Sequence, residues 1–339
     1  MAGADRHLAV HAGGALAAVA VACVLPPWLA TLLGRHWPWL LLLLGLVPFA
    51  LLLLFVAKVA RWLRAPVPFR IPLTVGQQRG LPGMPRRPFD TPHAWYEVLT
   101  RFALDACLFR PLWRTTPTAP SYGRGLAHGM GRGLWLAAAA FHGSLLVVGL
   151  RHLRMVWEPV PGFVTWLENF DVATEMWLPK LHVTTVVFAL ALLVLLGRRL
   201  LLARVRYLSL AADYFPLLLL LAIAGTGIVM RHFTRTDVTA IKALALGLAN
   251  GQLVLPATPD LWLLAHLFSV GNLVVYFPLS KLMHAPGVLL SPTLILANDS
   301  RERRHENPRN PQVEILHYAD YENAFRDRMI EAGLPVEKR

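Results

Sequence analysis

Six stretches of this 339-residue chain run apolar with almost no polar interruption, each close to the ~20 residues that cross a bilayer core about 30 Å thick. They extend from Leu8 to Leu33, Trp37 to Val59, Leu134 to Met155, Leu178 to Leu196, Leu210 to Met230 and Leu261 to Leu282. In lipid an isolated segment can satisfy its own backbone polar groups only as a helix. The pattern therefore predicts an all-α membrane protein with six transmembrane helices. Val21, Ala22 and Cys23 loosely suggest a processing site in the first stretch. Its apolar part is long for a leader and its basic flank is weak, so it reads as a retained span.

Between the spans the pattern changes character. Residues 1–60 form two closely spaced spans joined by GRHWPW, and residues 61–132 form a basic loop. The Pro-rich half of that loop, APVPFRIPLTVGQQRGLPGMPRRPFD, cannot propagate a helix. Beyond it Trp95, Leu99, Phe102, Ala106 and Phe109 recur at helical spacing and predict an amphipathic helix on the membrane surface. Residues 133–284 hold a four-helix block, and 285–339 form a polar tail. In the tail Tyr318, Tyr321, Phe325, Met329 and Ala332 mark one face of a short helix that Gly333 and Pro335 stop. That face either packs on the chain's own loops or docks a partner.

Composition agrees with the spans: 55% of residues are hydrophobic and 16% charged, too apolar for a water-soluble globule of this size. The formal charge of +13 gains meaning from its location. Twelve Lys/Arg face three acids (Asp90, Glu97, Asp105) between Lys58 and Arg132, and Arg198, Arg199, Arg204 and Arg206 follow the fourth span. The 157–177 connection carries no Lys or Arg but holds Glu158, Glu168, Asp171 and Glu175. This alternation follows the positive-inside rule with both termini cytoplasmic, and leaves no basic excess to assign to nucleic acid. The two cysteines, Cys23 and Cys107, cannot hold an iron–sulfur cluster. The glycines of GRGLAHGMGRG do not spell a nucleotide-binding loop.

Chemistry enters with the histidines. Of thirteen, His142, His152, His182, His232, His266 and His284 lie in or beside the later spans, where an imidazole needs partners for its nitrogens. A transmembrane bundle supplies the two axial imidazoles of heme b from neighbouring helices at matching depth. With antiparallel third and sixth spans, His152 pairs with His266 near the outer face and His142 with His284 near the cytoplasm. Two hemes stacked across the membrane are thereby predicted. Eighteen residues put His266 and His284 on one helical stripe, whereas ten leave His142 and His152 roughly 80° apart; the axial offsets also differ, about 27 Å against about 15 Å. Helix tilt or a kink near Pro278 would absorb the difference. His182 and His232 rank second, as alternative outer ligands or proton carriers.

Several longer phrases carry a resemblance: RAPVPFRIP followed by GQQ, FHGSLLVVGLRHLR, RYLSLAADYFPLLLLL, HLFSVGNLVVYFPLSKLMHAPGVLLSPT and YENAFRDRMIEAGLPVEK. Together with the H-x9-H and H-x17-H spacings, they resemble the heme b membrane subunit (DsrM type) of the dissimilatory sulfite reductase-associated Dsr complex. The spacings alone are similar to the gamma subunit of respiratory nitrate reductases. Val75 departs from the resemblance, which leads one to expect a cysteine before GQQ.

The resemblance implies two hemes b, electron exchange with membrane quinone near the outer heme, and a cytoplasmic iron–sulfur (DsrK-like) partner near the inner one. Other Dsr membrane and periplasmic subunits would complete the complex, in a bacterial or archaeal cytoplasmic membrane. It carries the same pairing onto His152 with His266 and His142 with His284. At the outer face Arg151, Arg154 and Arg231 are candidate partners of heme propionates. Glu158, Glu175 and His232 are candidate proton acceptors for quinol. The competing expectation is a heme-free membrane anchor or transporter, although the internal repeats of a transporter are not seen.

Overall fold

The computed structural model describes residues 7–32, 34, 46–65, 88–114, 131–172, 182–252, 260–291, 294, 296–297 and 316–337. The described residues contain helices and no strands. Five helical stretches among them are long and apolar enough to cross a membrane: Ala9–Leu32, Arg132–Met155, Val183–Leu201, Ala211–Thr234 and Leu261–Leu279. At most 33% of the apolar window of any of them is buried inside the chain. Leu190, Leu193 and Val194, for example, point outward. Apolar residues facing away from the protein on every span require lipid as their solvent, and the chain is a multi-pass membrane protein. The expected second span begins in residues 35–45, outside the described residues; its described part is helix Val47–Arg64.

The first span is two helices, α1 (Gly14–Cys23) and α2 (Leu25–Leu32), and helix α3 (Val47–Arg64) follows it. The break in the first follows from Pro26 and Pro27, which lack the N–H groups that would reach Ala22 and Cys23. The Asn272 side-chain amide donates to the stranded Ala22 carbonyl at 3.0 Å.

The expected amphipathic helix is α4 (Trp95–Cys107), started where the Glu97 carboxylate accepts from the backbone N–H groups of His93 and Ala94. It stops short of Phe109, which the sequence pattern had included. Phe109 takes a left-handed φ of 52° and turns the chain into α5 (Arg110–Arg114).

The main block then runs through α6 (Gly131–His152), the short helix α7 (Gly162–Asp171), α8 (Val183–Leu201), α9 (Ala203–Leu208), α10 (Ala211–Val229), α11 (Val238–Ala249) and α12 (Leu261–Leu279). Helices α6, α8, α10 and α12 pack in chain order, up and down, while α1 lies against α10 and α12 and α3 against α12. Phe188, Leu192, Leu220 and Ala224 form the shared core, with Phe141, Leu145 and Leu273 against them.

Two boundaries differ from the expected ones. The fourth span starts at Val183 because the Asp171 carboxylate accepts from the Thr184 backbone N–H at 2.8 Å, and it runs on through Arg198 and Arg199, whose charges suit a helix C-terminus. The last span ends at Leu279 instead of Leu282. Pro278 is followed by an extended Ser280 (φ −115°, ψ −179°), a 3-10 turn at Lys281–Met283 and a new helix, α13 (His284–Leu289). The tail helix, α14 (Tyr318–Glu331), is stopped at Gly333 (φ 69°).

Candidate functional site

The break at Ser280 bears directly on the histidines. His284 opens a separate helix, so the single helical stripe expected to carry it together with His266 is interrupted. The ring of His284 lies 6.1 Å from that of His142, centre to centre, at 89°. At the other end of the bundle the rings of His152 and His266 are 6.4 Å apart and nearly parallel, at 15°.

Hydrogen bonds fix which nitrogen each ring offers. A carbonyl can only accept, so Nδ1–H is the donor wherever Nδ1 meets one. That holds for His142 to the Ala138 carbonyl (2.8 Å), His152 to Val148 (2.7 Å) and His284 to Lys281 (2.9 Å). His266 Nδ1 meets the Thr226 hydroxyl at 2.9 Å. That hydroxyl donates its own hydrogen to the Ala222 and Ile223 carbonyls, at 2.8 and 3.1 Å, and is left as an acceptor. All four rings therefore carry the proton on Nδ1 and present the Nε2 lone pair, the tautomer a metal ligand needs.

A metal bonded to two imidazole nitrogens at about 2 Å each sets the ring centres roughly 6 Å apart. Both pairs match. No group of three or more His, Cys, Asp or Glu that could hold a metal occurs among the described residues. Each pair by itself offers two imidazole nitrogens, the axial set that a heme takes from a protein.

A cavity of about 520 Å³ opens beside the His152–His266 pair. His152 and His266 share its lining with apolar Phe188, Ile223 and Ala224, and with Arg151, Arg154, Arg231, His182 and His232. Gly227 makes part of the wall, next to the His266 ring: a Cβ there would be in van der Waals contact with His266 Cε1, at 3.4 Å.

The arginines differ in their commitments. Arg151 pairs with buried Asp171 at 2.6 Å, and Arg154 with Glu168 at 2.8 Å. Arg231 has no ion-paired carboxylate among the described residues, so of these three its charge is the most available to an anionic group. Glu158 pairs with Lys242. Glu175 lies outside the described residues.

No family model matches the chain, and no solved structure matches it significantly. Curated proteins do. Over 277 residues it is 38% identical to the Hdr-like menaquinol oxidoreductase cytochrome b-like subunit of Archaeoglobus fulgidus, covering 78% of this chain and 82% of that one. Over 270 residues it is 36% identical to the protein of the same description from Archaeoglobus profundus, covering 77% and 79%. The chain belongs to this cytochrome b-like subunit family.

Several residues that shape the site of this cytochrome b-like chain escaped the sequence reading. Asp171 counted there only as a loop acid. It is buried, and besides Arg151 it accepts from the Thr184 hydroxyl at 2.6 Å and stands 3.6 Å from His182 Nδ1. Its signal was its place in a connection with acids and no basic residue. Burial, then the Arg151 and Arg231 charges, push His182 down to about 4, against the opposing pull of Asp171. Thr226, Gly227 and Phe109 gave no signal in a single sequence.

Proposed function

We propose that this chain is a di-heme cytochrome b subunit that carries electrons across the membrane. It would work between menaquinol or menaquinone beside the outer heme and a cytoplasmic iron–sulfur partner beside the inner one. The observation that carries the reading is the pair of facing imidazole couples, one at each end of the bundle, all four presenting Nε2. The family's printed description, a menaquinol oxidoreductase cytochrome b-like subunit, supports it. Within that family we assign the chain to the DsrM type, with a DsrK-like partner, on the matched phrases of its sequence.

His152 and His266 would hold the outer heme and His142 and His284 the inner. Bound there, each heme supplies a reversible one-electron couple. The chain's own residues do the rest. Carbonyl and hydroxyl acceptors lock each imidazole tautomer and raise ligand basicity. Arg231, joined by Arg151 and Arg154, offers charge to the propionates at the cavity mouth. Phe188, Ile223 and Ala224 exclude water from the outer site. Quinol oxidation releases two protons, for which His232 at the cavity and the Glu158 carboxylate nearby are acceptors. The basic cytoplasmic residues and the tail face the partner side, with six spans and both termini in the cytoplasm.

The purified protein is expected to show reducible b-type absorption with about two hemes per chain. His142→Ala or His284→Ala should remove one component of the redox titration, and His152→Ala or His266→Ala the other. A colourless preparation, or heme content unchanged in all four variants, would overturn the assignment.

A further inference from the structure

The loop between the second and third spans does more than connect them. Its elbow, Leu108 and Phe109 between α4 and α5, reaches the inner histidines. The Phe109 ring lies 5.0 Å from that of His142, tilted by 37°. Phe141 from α6 covers another side of the same imidazole at 4.7 Å. The His142 ring is thus in contact with two aromatic rings, both closer to it than the His284 ring is.

The elbow is tied to both segments that bear the inner pair. On the α6 side the Trp135 indole N–H donates to the Leu108 carbonyl at 2.7 Å, Trp113 meets Trp135 edge-on at 4.8 Å, and the Arg132 guanidinium stacks over Trp113. On the His284 side Arg101 of α4 donates to the Leu294 carbonyl at 2.7 Å, a few residues past α13. Within the elbow Arg110 pairs with Asp105 at 2.8 Å and Asp90 at 3.4 Å, while the Leu112 backbone N–H closes onto the Phe109 carbonyl at 2.9 Å.

These ties hold Phe109 at a φ of 52°, a conformation that a bulky side chain rarely adopts and glycine adopts freely. A glycine there would relieve the backbone and lose only the ring. A strained residue held in place by its surroundings, with its side chain against a chemically competent group, is the usual signature of a positioned contact.

We infer that the α4–α5 elbow clamps the inner imidazole pair, with Phe109 as a positioning residue for His142. This rests on the di-heme reading above. The ring limits rotation of the imidazole and keeps water from it, so it sets both the plane of the ligand and the polarity around the inner site. Loss of the ring admits water, which favours the more highly charged oxidised state and lowers the reduced fraction at a given potential.

The test uses the full chain with its hemes, in Phe109→Ala, Phe109→Gly, Phe109→Leu and Phe109→Tyr. Redox titration and electron paramagnetic resonance report the two hemes separately, and the outer one serves as an internal control of folding. The expected result has three parts. Ala, Gly and Leu lower the inner reduced fraction several-fold at fixed potential and change the inner resonance, the outer signals stay unchanged, and Tyr restores the wild-type values. If Ala proves too unstable to hold heme, Leu and Gly supply the same readout. Inner signals unaltered in Leu and Gly would overturn the inference while leaving the di-heme assignment intact. A wild-type protein without heme would overturn the assignment itself.

Discussion

Thr226 shows how much one hydroxyl settles. Its hydrogen is committed to its own helix, so the oxygen can only accept, and that fixes the tautomer of His266 one helix away. Thr226→Val keeps the shape and removes the acceptor. On the di-heme proposal, it is expected to weaken heme retention at the His152–His266 pair about ten- to hundredfold and leave the His142–His284 pair unaffected, measured by heme content after dilution and re-isolation.

His182 makes a pH-dependent contribution. Its value in the fold, about 4, lies below the ordinary histidine range, so the unfolded chain takes up its proton first as pH falls. The stability it allows is therefore fully present above about pH 6.5 and is lost on acidification toward pH 4, by up to about 3 kcal/mol. Thermal unfolding against pH should be flatter in that window for His182→Gln than for the wild type. At this scale the sequence revealed the imidazoles, because a histidine in an apolar run is conspicuous. It could not reveal Thr226 or Phe109, whose importance comes only from what the fold brings beside them.

Two of the helices are defined by where they break. Pro26 strands the Ala22 carbonyl and Asn272 answers it, which joins the first span to the last. Asn272→Leu should cost about 1–3 kcal/mol, the penalty for a buried acceptor left unmet. Most of that cost should vanish in a Pro26→Ala background, where residue 26 regains an N–H for Ala22; a double-mutant cycle of unfolding free energies measures the difference. The break at Ser280 was legible in part, since Pro278 marks a weak point in any helix. The position of His284 beyond it was not, because periodicity counts residues as though the helix continued. The same assumption ran Phe109 into α4, where the chain in fact turns through a left-handed residue.

For the whole molecule, hydrophobic patterning was the most informative signal. Uninterrupted apolar runs specify helices in lipid, because they reflect solvation and need no knowledge of neighbours. Helix neighbours depend on packing and were not readable. The N-terminal helices lie against α10 and α12, away from the histidine cavity. His142 and His152 stand ten residues apart on α6, about 15 Å along its axis, or half of a hydrocarbon core near 30 Å. An electron stepping between sites at those two depths would cross roughly half of the membrane voltage. Its free energy would then change by about 1 kcal/mol for every 100 mV, which makes the internal step itself electrogenic and subject to back-pressure from an energised membrane.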